Sequence, residues 1–301
     1  MSMADINRLG LGTMGMRLSN KETSIKTIHT ALDSGITLFN TGAFYNGGES
    51  EMVTGEALKE ISRDQYFLSV KFGVLPQPGG GIYGLDNNPF HVKAHLANSL
   101  HRLGLEYVDL YQPARQDTEI PVEEVVGAIA EQVEAGYVRH IGLSMVDAET
   151  LRRAYKVHPI HTVEMSYSLM DRSIEKELVE TAKELGVKVL AFGTVGHGLL
   201  TDKEHEMTPP FVQELRKIAD EKCVTLSQLA FAWSLAKYDH VQSLIGTTNP
   251  EHLMSAIDAL KIELTDEDIA RMEAACPADK INGRRMRNFV FTNGRMSLAE
   301  K

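Results

Sequence analysis

Two residues in the first quarter of the chain have side chains and settings suited to acid–base chemistry. Tyr45 stands just past a short apolar run, in T-G-A-F-Y-N-G-G, where a glycine-rich loop carries its hydroxyl beyond the end of that run. Lys71 sits inside a second apolar run, Q-Y-F-L-S-V-K-F-G. A lysine inside a buried strand is costly unless it has a partner or a task. A phenol brought against an ammonium makes a proton donor, because the cation stabilises the phenolate and lowers the tyrosine pKa. The first expectation is therefore that Tyr45 and Lys71 form such a pair.

The elements that must position them recur along the whole chain. Short apolar runs at 8–14, Thr37–Thr41, Gln65–Phe72, Val108–Ala114, Val138–Ser144, Thr162–Leu169, Lys188–Val195 and Val241–Thr247 read as strands. Between them lie helical patterns at Asn20–Gly35, Ser50–Glu60, Pro89–Leu103, Pro121–Ala135, Ala148–Val157, Ile174–Leu185, Pro210–Lys222, Thr225–Tyr238 and Pro250–Leu260. A last helix is expected over Asp266–Ala275. Gly35, Gly104, Gly136 and Gly186 precede strands as helix C-caps. Strands alternating with helices imply right-handed βαβ units and a parallel sheet. Eight such units predict one closed (β/α)8 barrel spanning 1–301, with no linker or composition break. The stretch Gly73–Asn88, with Gly79, Gly80, Gly81 and Tyr83, reads as a long loop of the kind that serves function. The tail, about 282–301, carries Arg284, Arg285, Arg287, Phe289 and Phe291 and is expected near the barrel mouth.

In a barrel of this kind chemistry gathers at the C-terminal ends of the strands. Asn40, Lys71, Ala114, Ser144, Glu164, Phe192 and Gly246 all fall near such ends. Strand alternation puts Ser69 with Lys71 on one side, and Leu110 with Gln112 and Ala114. Gln112, Ser144 and Glu164 inside a barrel need polar partners: one another, ordered water, or the amide of a bound ligand. Gly10-Leu11-Gly12-Thr13-Met14-Gly15 is a literal G-x-G-x-x-G, but no helix face opens directly after it and eight βα units follow. The context argues against a dinucleotide fold and for a glycine-rich strand end.

Composition narrows the function classes. The chain of 301 residues is 43% hydrophobic and 24% charged, with a formal net charge of −10. That balance argues against nucleic acid or an anionic membrane as partner. No apolar run approaches membrane-spanning length, and the N-terminus has no apolar signal core. Cys223 and Cys276 are far apart, so neither a disulfide framework nor a zinc site is expected, and both read as buried thiols in a reducing, cytoplasmic setting. The 11 histidines are scattered, and no metal site is expected.

In order along the chain, L-G-L-G-T-M, F-N-T-G-A-F-Y, G-E-A-L, V-K-F-G, L-G-L-E-Y-V-D-L-Y, G-Y-V-R-H-I-G-L-S, V-E-M-S-Y-S-L, A-F-G-T-V-G-H-G-L-L-T and I-G-T-T-N-P-E-H-L make it resemble the aldo-keto reductase superfamily over nearly its full length. The resemblance implies a (β/α)8 barrel and a cytoplasmic reductase. It would bind NADPH (NADH possible) across the barrel top and reduce a small-molecule aldehyde or ketone. Catalytic roles are implied for Tyr45 as general acid, for Lys71, and for Asn40 as the residue that orients Lys71.

Two positions depart from that family's pattern. Asn40 stands where an aspartate is usual, and Ala114 where a histidine is usual. Asn40 brings no charge, so Lys71 is expected to be less firmly anchored as a cation. Ala114 brings no donor, and losing one preorganised donor typically costs ~10²–10³ in rate; it also leaves room for a bulkier substrate. The chain looks like a branch with N-T-G-D-F-Y and L-Y-Q-P-A-R, although Ala43 stands where that branch has aspartate.

Cofactor contacts are implied for Gly12, Thr13, Met14, Ser144, Glu164, Phe192, Gly193, Thr194, Gly196, His197, Gly198, Gly246, Thr247, Thr248 and His252. Of these, Ser144 and Glu164 would hold the nicotinamide carboxamide, with Glu164 where glutamine is usual. Phe192 would stack on the nicotinamide, and Gly196–Thr201 would straddle the pyrophosphate, with His197 in place of a frequent arginine. Thr248 and His252 stand where cations usually hold the 2′-phosphate, so preference for NADPH over NADH is expected to be weak. The incomplete catalytic set also fits a nicotinamide-binding sensor or regulatory subunit with little turnover. A barrel lyase or isomerase is a more distant reading, with no metal cluster to support it.

Overall fold

The computed structural model describes residues 8–78, 81–117, 119–202 and 209–277, with the backbone of 289–292 and 295–298. Eight parallel strands close into a barrel: β1 (Leu9–Gly12), β2 (Leu38–Gly42), β3 (Phe67–Phe72), β6 (Val108–Pro113), β7 (Val138–Ser144), β8 (Ile160–Ser166), β9 (Lys188–Phe192) and β10 (Val241–Gly246). Their order around the barrel is β1-β10-β9-β8-β7-β6-β3-β2. The intervening helices are α1 (Lys21–Asp33), α2 (Glu49–Leu58), α3 (Pro89–Leu103), α4 (Val122–Glu134), α5 (Ala148–Val157), α6 (Leu178–Glu184), α7 (Pro210–Glu221), α8 (Leu226–Ala236) and α9 (Pro250–Ile257), followed by α10 (Asp266–Ala275). This is the (β/α)8 barrel that the alternation predicts. Gly35, Gly104, Gly136 and Gly186 all take the left-handed backbone that turns a helix end back towards the sheet.

Three local readings need correction. Gly73–Asn88 is not an unstructured loop: β4 (Val74–Pro76) and β5 (Ile82–Leu85) form an antiparallel hairpin directly after β3. Proline and glycine concealed the strand pattern. The strand expected over Lys188–Val195 stops at Phe192, because the backbone becomes left-handed at Gly193 (φ 72°) and bends into a 3-10 turn. Cys223 is exposed, in the turn that leaves α7, whereas Cys276 is buried as expected. In the tail, β11 (Phe289–Thr292) and β12 (Arg295–Leu298) pair with each other, and β12 adds to β5. Arg284, Arg285 and Arg287 lie outside the described residues.

The barrel interior is built in tiers. Leu38, Phe67, Leu110, Leu190 and Leu244 form an apolar plug. Two residues further along their strands, side chains return to the same face, and there the interior turns polar: Asn40, Ser69 and Gln112 are all nearly inaccessible to solvent. Gly10 lies in register with Leu38 on one side and Leu244 on the other. A Cβ at Gly10 would come within 2.8 Å of Leu38 and 2.9 Å of Leu244. The first glycine of G-x-G-x-x-G is thus a spacer that lets the plug close. Gly10→Ala is expected to destabilise the protein by about 1–3 kcal/mol through overpacking while cofactor affinity stays unchanged, as read by denaturant unfolding and cofactor titration. A weakened affinity at undiminished stability would instead give Gly10 a binding role.

Candidate active site

Lys71 projects from β3 into the polar tier and is almost fully buried, 3% exposed. It donates to the Oδ1 of Asn40 on β2 and, at 2.7 Å, to the Oε1 of Glu164 on β8. Asn40 thus accepts from Lys71, as its placement implies. The expectation that Lys71 is less firmly anchored as a cation, because Asn40 brings no charge, is corrected: the barrel supplies the carboxylate from β8. Glu164, also 3% exposed, takes two amide donors on Oε2, from Asn40 Nδ2 at 2.8 Å and Gln112 Nε2 at 2.6 Å. Ser69 Oγ accepts from Asn40 Nδ2 at 3.2 Å and from Gln112 Nε2 at 3.3 Å. Room for Gln112 comes from Gly142 on β7, where a Cβ would stand 2.6 Å from Gln112 Oε1.

Tyr45 enters from the 3-10 turn Tyr45–Gly48 that follows β2. Its ring lies edge-on to Phe44, with centroids 4.7 Å apart, and Lys71 Nζ is 5.3 Å from its ring centroid. The side-chain interaction between Tyr45 and Lys71 brings the expected pair together. Burial raises the Tyr45 pKa above its ordinary value; the Lys71 charge pulls it down and the Glu164 charge pushes it up. The pull of the cation is present, but burial outweighs it, so the net direction is the reverse of that expected from the pair alone. The phenol therefore keeps its proton through neutral pH, as a general acid must. Burial works against the Lys71 charge, but Glu164 and Tyr45 more than offset it and hold its pKa above the ordinary lysine value.

Sequence reasoning missed Arg115, which follows directly on Ala114. Its charge acts on Tyr45, burial lowers its pKa, and no carboxylate pairs with it among the described residues. Its backbone carbonyl accepts from Asn87 Nδ2 at 2.7 Å, which ties this strand end to the segment after β5. The signal was an unpaired cation beside the strand end that also carries Ala114. Ala114 itself does not open a space, because it packs with Val74 and Leu85 of the hairpin, flanked by Phe44 and Ile82. Tyr45 thus has an apolar wall on one side and two cations nearby.

The positions expected to bind cofactor fall on the other part of the mouth. Gly12–Met14, Ser144, Glu164, Phe192–Gly198 and Gly246–Thr248 follow from β1, β7, β8, β9 and β10, which are consecutive around the barrel. Ser144 and Thr194 are buried, Phe192 is partly exposed, and Met14, His197 and His252 are exposed. Thr194 Oγ1 is buried with no hydrogen-bond partner among the described residues. The Thr13 hydroxyl already bonds the Asn40 carbonyl at 3.3 Å and the Ser50 hydroxyl at 2.8 Å, so its side chain pins β1 to β2. Thr247 Oγ1 accepts from Asn249 N at 3.1 Å at the start of α9. Among the described residues no cluster of three or more His, Cys, Asp or Glu side chains can hold a metal ion, and no helix is long and apolar enough to cross a membrane.

A family model described as the aldo/keto reductase family matches residues 8–276. The chain belongs to the aldo/keto reductase family. It is accordingly an oxidoreductase on the (β/α)8 scaffold. A probable aldo-keto reductase from Glycine max is 31% identical over 310 residues, covering 94% of this chain and 89% of that relative. The solved glycerol dehydrogenase from Gluconobacter oxydans superposes with a TM-score of 0.83 at 25% identity, covering 93% of this chain and 95% of its own. A thermostable aldo-keto reductase solved with the inhibitor epalrestat gives a TM-score of 0.78 at 30% identity, with 90% and 95% coverage.

The field of Arg115 at Tyr45 is open to measurement. Removing the cation by Arg115→Gln takes away a charge that stabilises the phenolate. Tyr45 is then expected to ionise at higher pH, as followed by tyrosinate absorbance with Tyr45→Phe as the blank. An unmoved titration would mean that the guanidinium does not act on the phenol.

Proposed function

We propose that this protein reduces aldehydes or ketones to alcohols, with NADPH as the reductant and NADH as a possible substitute. The observation that carries the reading is the placement of Tyr45 against a lysine whose charge is fixed from two sides, by Glu164 and Asn40. A buried ammonium beside a tyrosine has a use when a phenolate must form and be stabilised. The cofactor fits the residues present. The unpartnered Thr194 hydroxyl, the buried Ser144 and the turn at Gly193–Gly198 line one arc of the mouth and offer polar groups to a ligand lying across it. When bound, the cofactor supplies the hydride that adds to the carbonyl carbon.

This chain's residues do the rest. Tyr45 donates its phenolic proton to the carbonyl oxygen, so the product leaves as a neutral alcohol. The phenolate left behind is held by Lys71 and the Arg115 charge until solvent returns the proton. Glu164 keeps Lys71 charged through the cycle. Phe44, Val74, Ile82, Leu85 and Ala114 give the carbonyl compound an apolar flank. The roles of Ser144 and Phe192 towards the nicotinamide, and of Thr248 and His252 towards the 2′-phosphate, follow from the family resemblance. With no guanidinium at those last two positions, discrimination between NADPH and NADH is weak.

The pairing of β12 with β5, above the C-terminal end of β3, supports one barrel domain over 1–301 with the tail 282–301 at the mouth. The net charge of −10 fits a small-molecule partner better than nucleic acid or a membrane surface. Two free cysteines suit a reducing compartment such as the cytoplasm.

A single-turnover experiment tests the reading. The protein is loaded with stoichiometric NADPH, an activated aldehyde is added, and the loss of reduced-nicotinamide absorbance is followed. Oxidation is expected in the native protein and slower by about 10²–10⁴ in Tyr45→Phe, the usual contribution of a positioned acid. Tight NADPH binding with no oxidation across a carbonyl panel would replace this reading by that of a nicotinamide-binding sensor. Absence of NADPH binding would remove both.

A further inference from the structure

Glu164 was expected at the cofactor, yet its carboxylate is mostly committed elsewhere. An ionised carboxylate offers about four acceptor sites, and the protein fills three. Lys71 takes one on Oε1, while Asn40 and Gln112 take two on Oε2. With both oxygens held from β2, β3 and β6, the group cannot rotate, and at most one site on Oε1 is left for a ligand amide. Among the described residues it is the one carboxylate that pairs with Lys71. Its neighbour in the network, Asn40, bonds both members of that pair and is neutral.

We propose that Glu164 is the positioning residue of the proton donor: it fixes the orientation of Lys71 across the barrel and, by its own charge beside that ammonium, sets the pH range over which Tyr45 delivers its proton. The role rests on the reductase reading given above. Its physical content is a count of charges around the phenol. Tyr45 faces the cations Lys71 and Arg115 and the anion Glu164; Asn40, Gln112 and Ser69, which complete the network around Lys71 and Glu164, are neutral. With one carboxylate the Lys71 charge is matched. With none, the phenol faces the cations Lys71 and Arg115 without an opposing anion and gives up its proton at lower pH. With two, the excess negative charge holds the phenol proton more tightly. Because Asn40 and Glu164 touch each other and both touch Lys71, the carboxylate can change places with the amide at nearly constant shape and charge.

The test is that exchange. Glu164→Gln, Asn40→Asp and the double variant are compared with the native protein for kcat as a function of pH, for NADPH affinity, and for tyrosinate absorbance without cofactor. Glu164→Gln is expected to lower kcat about 10-fold or more, a share of the ~10²–10⁴ that acid catalysis supplies. It should also move the alkaline limb of kcat and the Tyr45 titration to lower pH by about one unit or more, with NADPH affinity changed far less than kcat. Asn40→Asp should move both limbs to higher pH, and the double exchange should return both towards native. Weakened NADPH binding with an unmoved alkaline limb in Glu164→Gln would overturn the proposal and leave Glu164 a cofactor ligand. So would a folded double variant no better than Glu164→Gln. Should Glu164→Gln alone fail to fold, the double variant decides by the same two readouts. Should no carbonyl be turned over even by the native protein, the reductase reading falls, while the tyrosinate titrations still decide the charge exchange.

Discussion

The ammonium of Lys71, held inside a barrel at 3% exposure, is the constraint on which the rest of the site depends. Taking a charge out of water is affordable when it is paired and when every remaining polar group around it is satisfied. The barrel meets the first condition, and most of the second, by drawing one side chain from each of several strands; Gln112 Oε1 alone in this network stays without a partner among the described residues. Glu164 supplies the opposite charge, Asn40 and Gln112 fill the second carboxylate oxygen, and Ser69 accepts from both amides. Strand β7 contributes by what it lacks, since any side chain at Gly142 would occupy the place of Gln112. The apolar plug beneath keeps water from the underside, so the network is open only towards the mouth.

That network also divides the mouth into two arcs. The strands β2, β3 and β6, with the hairpin β4–β5, surround Tyr45 and give it cations and an apolar flank. The strands from β7 through β10 to β1 carry the polar turn ends suited to an extended ligand. Glu164 stands on β8 but acts on Lys71 of β3, reaching over the barrel interior between the two arcs. The Tyr45–Lys71 pair and the strands of the opposite arc are therefore joined through one carboxylate.

The barrel was legible in the sequence because its signals are local. Strand runs, helical spacing and the glycine turns at Gly35, Gly104, Gly136 and Gly186 each occupy a few residues, and their repetition leaves little choice of topology. Tyr45, Lys71 and Asn40 were legible for a related reason: strand alternation and strand ends say which side chains enter the mouth. The hairpin over Val74–Leu85 was not, because proline and glycine broke the alternation that marks a strand.

What the sequence by itself determined is the scaffold, the meeting of Tyr45 with Lys71 and the family. What only the tertiary structure decided is which charges meet. Lys71 and Glu164 are 93 positions apart, and no local pattern relates them. Their pairing depends on how β3 and β8 face each other across a closed barrel, on the length of Glu164, and on the space left by Gly142. Taken singly, an asparagine at position 40 reads as a lost charge and a glutamate at 164 as an altered ligand contact. Only their shared contact with one ammonium shows that the charge is present and supplied from the opposite wall. The sign of the Tyr45 shift was likewise a tertiary matter, since the sequence named the cation while burial, which outweighs it, belongs to the fold.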